Sequence, residues 1–86
     1  MTAEVAVRVR VLESWDDVVM RLPSITPIAD VKRRALAAAG ITADPAGFLV
    51  KFRGAELRDE SRSLGEEQVP GDGALVVMRR RRVPVR

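Results

Sequence analysis

Alternating valines near the start of the chain limit what this sequence can fold into more than any other feature. From residue 5 to residue 11 every second residue is valine, and Arg8 and Arg10 stand between the later ones. This period of two is typical of a strand with one buried and one exposed face. A second alternating stretch, residues 18–22, follows after LESWDD, so the two stretches predict a hairpin.

The segment SITPIADVKRRALAAAG predicts one helix after the hairpin. Thr26 suits the N-cap, Pro27 suits the first helical position, and Gly40 suits the C-terminal stop. Apolar residues at helical spacing give one face that can cover the hairpin: Ile28, Val31, Ala35 and Ala39.

Three further strands are expected after the helix. The stretch FLVKF, residues 48–52, alternates and ends at a turn in Arg53-Gly54. A short segment around Leu57 and a loop then lead through PGDG to a last strand that contains Leu75 and Val77. The order is strand, strand, helix, strand, short strand, strand, which is an α+β arrangement.

The absence of two residue types removes most catalytic chemistry. The chain has no cysteine and no histidine, so thiol nucleophiles, thiolate metal sites and an imidazole proton shuttle are excluded. We expect no enzyme activity, no catalytic residue, no metal site and no cofactor.

With 86 residues and 47% hydrophobic content, we predict one domain, residues 1–80, and a basic tail, residues 81–86. No stretch approaches the roughly 18 apolar residues of a membrane span, and a cytoplasmic location is expected.

The order of elements, read with VKRRALAAAGI, FRGAELRDE and LVVMR, resembles the ubiquitin family. The matching positions are Val31, Lys32, Gly40, Ile41, Phe52, Gly54, Leu57, Asp59, Leu75 and Val77. The resemblance covers roughly residues 5–80. It implies the β-grasp fold, in which a mixed sheet of four to five strands packs on one helix and the first and last strands are parallel neighbours. It also implies that Lys32 lies near an acidic residue in a structural role.

The last residues differ from those of ubiquitin-type modifiers, which end in a flexible pair of glycines that an activating enzyme adenylates. Here the corresponding residues read RRVPVR, and Pro84 restricts the β-branched Val83, so we expect no conjugation. The resemblance then favours a non-catalytic protein-interaction module, and heavy use of arginine and alanine with only two lysines suggests a GC-rich bacterial source. The nearest class is the ubiquitin-like proteins of the YukD type, which lack the di-glycine end. A ubiquitin-like modifier acting with an activating enzyme stays open as an alternative.

The run Arg79 to Arg82 raises a third class, a basic adaptor for anionic surfaces. Consecutive arginines bind phosphates well. The net charge is only +3 and aromatic residues are 3% of the chain, so no stacking platform for bases is expected. A solvated strand end with a basic tail is therefore favoured, and nucleic acid is not an expected partner.

In the ubiquitin family, the sheet face away from the helix binds partners through aliphatic residues ringed by basic ones. Strand alternation predicts the residues of this chain on that face. The predicted partner-binding residues are Arg8, Arg10, Leu49, Lys51, Val76, Met78 and Arg80, with Val19, Arg21 and Arg53 beside them. Lys51 stands at about the place of the family's central isoleucine. The expected partner is thus a protein with an acidic and aliphatic surface rather than an ordinary ubiquitin-binding domain; the oligomeric state stays open.

Trp15 is the large aromatic residue outside the predicted core, and it lies in the loop of the first hairpin. An exposed tryptophan is a common binding hot spot, whereas a tryptophan folded over Leu12 would cover the hairpin end. The sequence leaves both alternatives open.

Overall fold

A computed structural model describes residues 3–80 of the chain. The elements are β1 (Glu4–Val11), β2 (Asp16–Pro23), α1 (Ile28–Ala38), a 3₁₀ turn (Pro45–Gly47), β3 (Phe48–Phe52), β4 (Ala55–Glu56) and β5 (Gly73–Arg79). This order confirms the predicted one. The predicted tail, residues 81–86, lies outside the described residues. Among those described, no helix has the length and apolar content needed to cross a membrane.

The five strands form one mixed sheet in the order β2-β1-β5-β3-β4. β1 pairs antiparallel with β2 and parallel with β5, and β3 pairs antiparallel with both β5 and β4. The parallel pairing aligns Val9 with Leu75. A mixed sheet packed on one helix, with β1 and β5 as parallel neighbours, confirms the α+β β-grasp fold implied by the resemblance.

One face of the sheet packs against α1 and forms the hydrophobic core. The alternating valines of β1 lie as predicted, since Val7, Val9 and Val11 are buried. Burial of one such side chain stabilises the fold by about 1.5 to 3 kcal/mol. Further fully buried side chains come from α1, β3, β5 and the β4–β5 loop: Ile28, Val31, Leu36, Phe48, Val50, Leu64, Leu75 and Val77.

The first hairpin turns earlier than predicted. β2 begins at Asp16, so Asp16 and Asp17 belong to the strand and the turn spans residues 12–15. Trp15 has a φ of 58°, a left-handed conformation that helps to reverse the chain within this short turn. Asp17 lies opposite Arg10, and an ion pair between directly opposed residues offsets the low strand preference of aspartate.

Main-chain carbonyls accept hydrogen bonds from the first amides of α1. The N-cap is Pro27 and no side chain caps the helix, so the predicted cap at Thr26 and the first helical position at Pro27 are wrong. The amide of Ile28 instead donates to the carbonyl of Arg62 at 2.9 Å, and the next amide donates to the carbonyl of Glu60 at 2.9 Å. The β4–β5 loop therefore supplies acceptors that a capping side chain would otherwise provide.

The end of α1 lies where it was predicted. Gly40 has a φ of 75°, which is easily accessible to glycine. Its amide donates to the carbonyl of Ala37 at 3.0 Å, and the amide of Ile41 donates to the carbonyl of Leu36 at 2.9 Å. These two hydrogen bonds form a Schellman motif and satisfy carbonyls of the last helical turn.

Candidate protein-interaction site

The face of the sheet opposite α1 carries the predicted partner-binding residues. Directly opposed residues of neighbouring strands share a face, so the register gives their order across the sheet. One row, here called the central row, crosses all five strands: Asp17, Arg10, Val76, Lys51 and Glu56. The centre of the face is therefore a valine between two cations.

An apolar centre lies beside the middle of the central row. Leu49 of β3 lies opposite Met78 of β5, and Val76 is two residues from Met78 on the same strand. All three side chains are partly exposed. The structure thus brings together the apolar residues that were predicted for this face.

Arg8 and Lys51 carry positive charges that are not paired with an acidic side chain of residues 3–80. Within residues 3–80, neither side chain makes a salt bridge. Arg8 lies opposite Val19 of β2 and Ala74 of β5, and Val19 is 66% exposed. These two cations are therefore available to an acidic partner.

Arg10 is partly engaged by its neighbour Asp17. Its Nε donates to Oδ1 of Asp17 at 2.9 Å, and its Nη2 donates to Oδ2 at 3.1 Å. These hydrogen bonds lower the pKa of the Asp17 carboxyl group, and the positive charge of Arg10 adds to the effect. The sequence pattern places Asp17 in the loop of the predicted hairpin, so Asp17 is not among the predicted site residues. A shorter loop in the predicted hairpin would have placed it opposite Arg10.

Arg80 is engaged by groups at the other edge of the sheet. Its Nε donates to the carbonyl of Ala46 at 3.1 Å, and its Nη1 donates to Oε2 of Glu56 at 3.3 Å. Its Nη2 lies 3.9 Å from Oε2 of Glu60. Unlike Arg8, Arg80 thus already has acceptors within the domain, and it connects the end of β5 to the 3₁₀ turn and to β4.

Lys32 forms a buried ion pair next to Arg80. Its Nζ lies 2.7 Å from Oε1 of Glu60 and donates to the carbonyl of Phe48 at 3.0 Å. The structural role that the resemblance implied for Lys32 is confirmed. We call Lys32, Glu60, Arg80 and Glu56 the corner cluster. Among residues 3–80, no group of three or more acidic side chains is placed to hold a metal ion.

Trp15 is 76% exposed, so it does not cover Leu12, and the exposed alternative is the one observed. The turn that carries Trp15 is fastened to β5 by an ion pair between Glu13 and Arg79, which lowers the pKa of the Glu13 carboxyl group through a side-chain hydrogen bond. The guanidinium of Arg79 also lies 4.8 Å from the centre of the Phe48 ring. Trp15 is therefore presented to solvent from an anchored turn.

Solved structures share this arrangement of strands and helix. A ubiquitin of Caldiarchaeum subterraneum matches with a TM-score of 0.77 and 12% sequence identity over 93% of this chain and 98% of that one. The chain has the ubiquitin-like fold. A protein in the structure "Molecular Mimicry of SUMO promotes DNA repair" matches with a TM-score of 0.78 and 16% identity over 90% and 92% of the two chains.

A third structure with the ubiquitin-like fold is the ubiquitin-like domain of an Arabidopsis thaliana protein. It matches with a TM-score of 0.74 and 14% identity, over 96% of this chain and 84% of that one. No protein-family model and no curated protein matches the sequence. Likeness at these identities establishes the ubiquitin-like fold and nothing finer.

The sheet face of this ubiquitin-like fold is cationic at its middle. Lys51 lies between Val76 and Glu56 in the central row, and Arg8 lies opposite Ala74 on the neighbouring strand. Positive charge therefore borders the apolar centre. A surface of this kind is complementary to apolar side chains surrounded by carboxylates.

Proposed function

We propose that this chain is a non-catalytic protein-interaction module that binds its partner through the sheet face opposite α1 and is not conjugated to other proteins. One observation carries the proposal. Leu49, Val76 and Met78 are partly exposed beside Arg8 and Lys51, which make no salt bridge within residues 3–80. A partner with aliphatic anchors and surrounding acidic groups covers the apolar side chains and neutralises both cations.

The glycine positions support a role without conjugation. The chain contains six glycines, and no two of them are adjacent. These residues therefore offer no di-glycine segment to an activating enzyme. As part of the proposal, we assign the chain to bacterial, cytoplasmic ubiquitin-like proteins of the YukD type, with a binding domain at residues 1–80 and a basic tail at residues 81–86.

The surface assignment is tested by comparing two charge reversals. The immobilised protein, its Lys51→Glu variant and its Arg34→Glu variant are used to capture partners from an extract of the source organism. Arg34 is an exposed residue of α1 and provides a matched change of charge on the other side of the domain. Lys51→Glu should weaken capture of a specific partner about tenfold or more through repulsion of its carboxylates, while Arg34→Glu should not.

Two controls complete this experiment. Circular dichroism should show that both variants keep the native spectrum, because both substitutions are made outside the core. Loss of the partner with Arg34→Glu and its retention with Lys51→Glu would overturn the sheet-face assignment. A reducible thioester formed with ATP and an activating enzyme would instead identify the chain as a modifier.

A further inference from the structure

An open depression on the sheet face lies between β1 and β5, beside the apolar centre. Its volume is about 290 Å³, and it is lined by Arg8, Arg10, Asp17, Ala74, Leu75 and Val76. Sites for small molecules and cofactors usually measure about 300 to 1,000 Å³ and enclose most of their ligand. The depression lies at the lower limit of this range and is open to solvent, so it would enclose little of a small ligand and suits a side chain presented by a bound protein.

The strand register explains why the depression forms here. Arg8 lies opposite Ala74, and Arg10 lies opposite Val76. Ala74 has only a methyl side chain, so a gap remains on β5 beside the long side chains of Arg8 and Arg10. Alternate residues of a strand lie on one face and about 7 Å apart. Both guanidinium groups can therefore reach a group bound between them.

The charges of the lining select the occupant. Two guanidinium groups and one carboxylate leave a net charge of +1. Asp17 accepts hydrogen bonds from Nε and Nη2 of Arg10, and Nη1 has no partner among residues 3–80. Arg8 makes no salt bridge in the same part of the chain. A single negative charge balances this lining, whereas a phosphate dianion exceeds it and lies close to the Asp17 carboxylate.

We propose that this depression binds the carboxylate of one glutamate or aspartate side chain of the partner protein. The guanidinium of Arg8 and Nη1 of Arg10 donate hydrogen bonds to the carboxylate, and Ala74 and Val76 contact its methylene groups. Charge-assisted hydrogen bonds from arginine to carboxylate are among the stronger polar contacts in proteins. The inference rests on the proposed function, because it assumes that this face is the docking surface.

Two matched peptides test the carboxylate site. A capped Leu-Glu-Leu-Glu-Leu peptide and its Leu-Gln-Leu-Gln-Leu counterpart are titrated into the isotope-labelled 86-residue protein, and amide chemical shifts are followed. The glutamate peptide should bind about tenfold more tightly, because only its carboxylates form charge-assisted hydrogen bonds. Its shifts should centre on Arg8, Arg10 and Ala74, and the preference should shrink at high salt.

Variants and simple anions separate the possible outcomes. Arg8→Gln should abolish the preference for the glutamate peptide, and Arg34→Gln, a matched change on α1, should retain it. Equal binding of both peptides with shifts at Leu49 and Met78 would overturn the carboxylate site and leave the proposed function intact. Stronger binding of inorganic phosphate than of acetate at this site would overturn the selection of a single charge. An absence of chemical-shift changes would contradict the carboxylate site. Chemical-shift changes confined to α1 would contradict both the carboxylate site and the assignment of the sheet face as the docking surface.

Discussion

Replacement of Lys32 by methionine should lower the free energy of unfolding by about 3 to 5 kcal/mol, the usual cost of removing one partner from a buried ion pair. The side chains of Lys32 and Glu60 are 5% and 18% exposed, and Nζ and Oε1 are 2.7 Å apart. In the variant, the Glu60 carboxylate loses this contact. The nearest remaining cation in the corner cluster is Arg80, whose Nη2 is 3.9 Å from Oε2 of Glu60. The remaining charge is therefore poorly compensated.

A double variant tests whether the loss of stability comes from the unpaired Glu60 carboxylate. Lys32→Met combined with Glu60→Leu should recover most of the lost stability, because apolar replacement of a whole buried pair is often neutral or stabilising. Arg33→Met is the matched control on the same helix. Its side chain is 63% exposed, so the free energy of unfolding should change by no more than about 0.5 kcal/mol.

Urea unfolding followed by far-ultraviolet circular dichroism is the appropriate assay. The single tryptophan, Trp15, is already 76% exposed in the native state, so its fluorescence is a weak reporter of unfolding. A domain of this size has a total stability of about 5 to 15 kcal/mol, so a loss of 3 to 5 kcal/mol is measurable. A loss below about 1 kcal/mol for Lys32→Met, or a double variant no more stable than the single one, would show that an unpaired Glu60 carboxylate does not destabilise the fold.

Three further predictions concern the two faces of the sheet and the first hairpin. Leu75→Ala should cost about 2 to 5 kcal/mol by leaving a cavity, and Met78→Ala about 1 kcal/mol or less; equal losses in urea unfolding would contradict their assignment to opposite faces. The pKa values of Asp17 and Glu13 are lowered in the folded state, so their ionised carboxylates stabilise the fold. This stabilisation is complete above the ordinary carboxyl pKa of about 4 and is lost as the pH falls through the lowered pKa values. Asp17→Asn should accordingly reduce the fall in Tm between about pH 5 and pH 2, and an unchanged slope would show that this ion pair contributes nothing. Trp15→Ala should leave Tm unchanged and weaken partner capture if the indole is a hot spot, whereas a lowered Tm would show that the indole packs on the domain.

Alternation was sufficient to predict the buried side of the strands. Burial has a period of two along a strand, so Val9 and Val77 are found in the core as expected. Alternation does not predict where a strand ends and a turn begins. The turn between β1 and β2 ends at a left-handed Trp15, and a residue of this size rarely adopts that conformation, so nothing in the sequence marked it.

The surroundings of the long side chains could not be predicted from alternation. Alternation gives the face on which Arg80 leaves its strand, and it does not give the final position of the guanidinium. That position depends on Glu56 and Glu60, which the β4 edge and the β4–β5 loop bring to β5 from about twenty residues away. The start of α1 depends on the same loop, because carbonyls of Glu60 and Arg62 replaced the cap expected at Thr26. Both differences arise from contacts between distant parts of the chain.

The position of β5 also determines when the protein can fold during its synthesis. β1 and β2 can pair as soon as both have left the ribosome, whereas β3 and β4 are joined to them in the sheet only through β5. The contact between Val7 and Gly73 must therefore wait until nearly the whole domain has been translated. Pairings this distant in sequence also slow folding. A nascent chain that stops before residue 73 lacks the strand that joins the two hairpins, so its hydrophobic core stays incomplete and the chain is prone to aggregation.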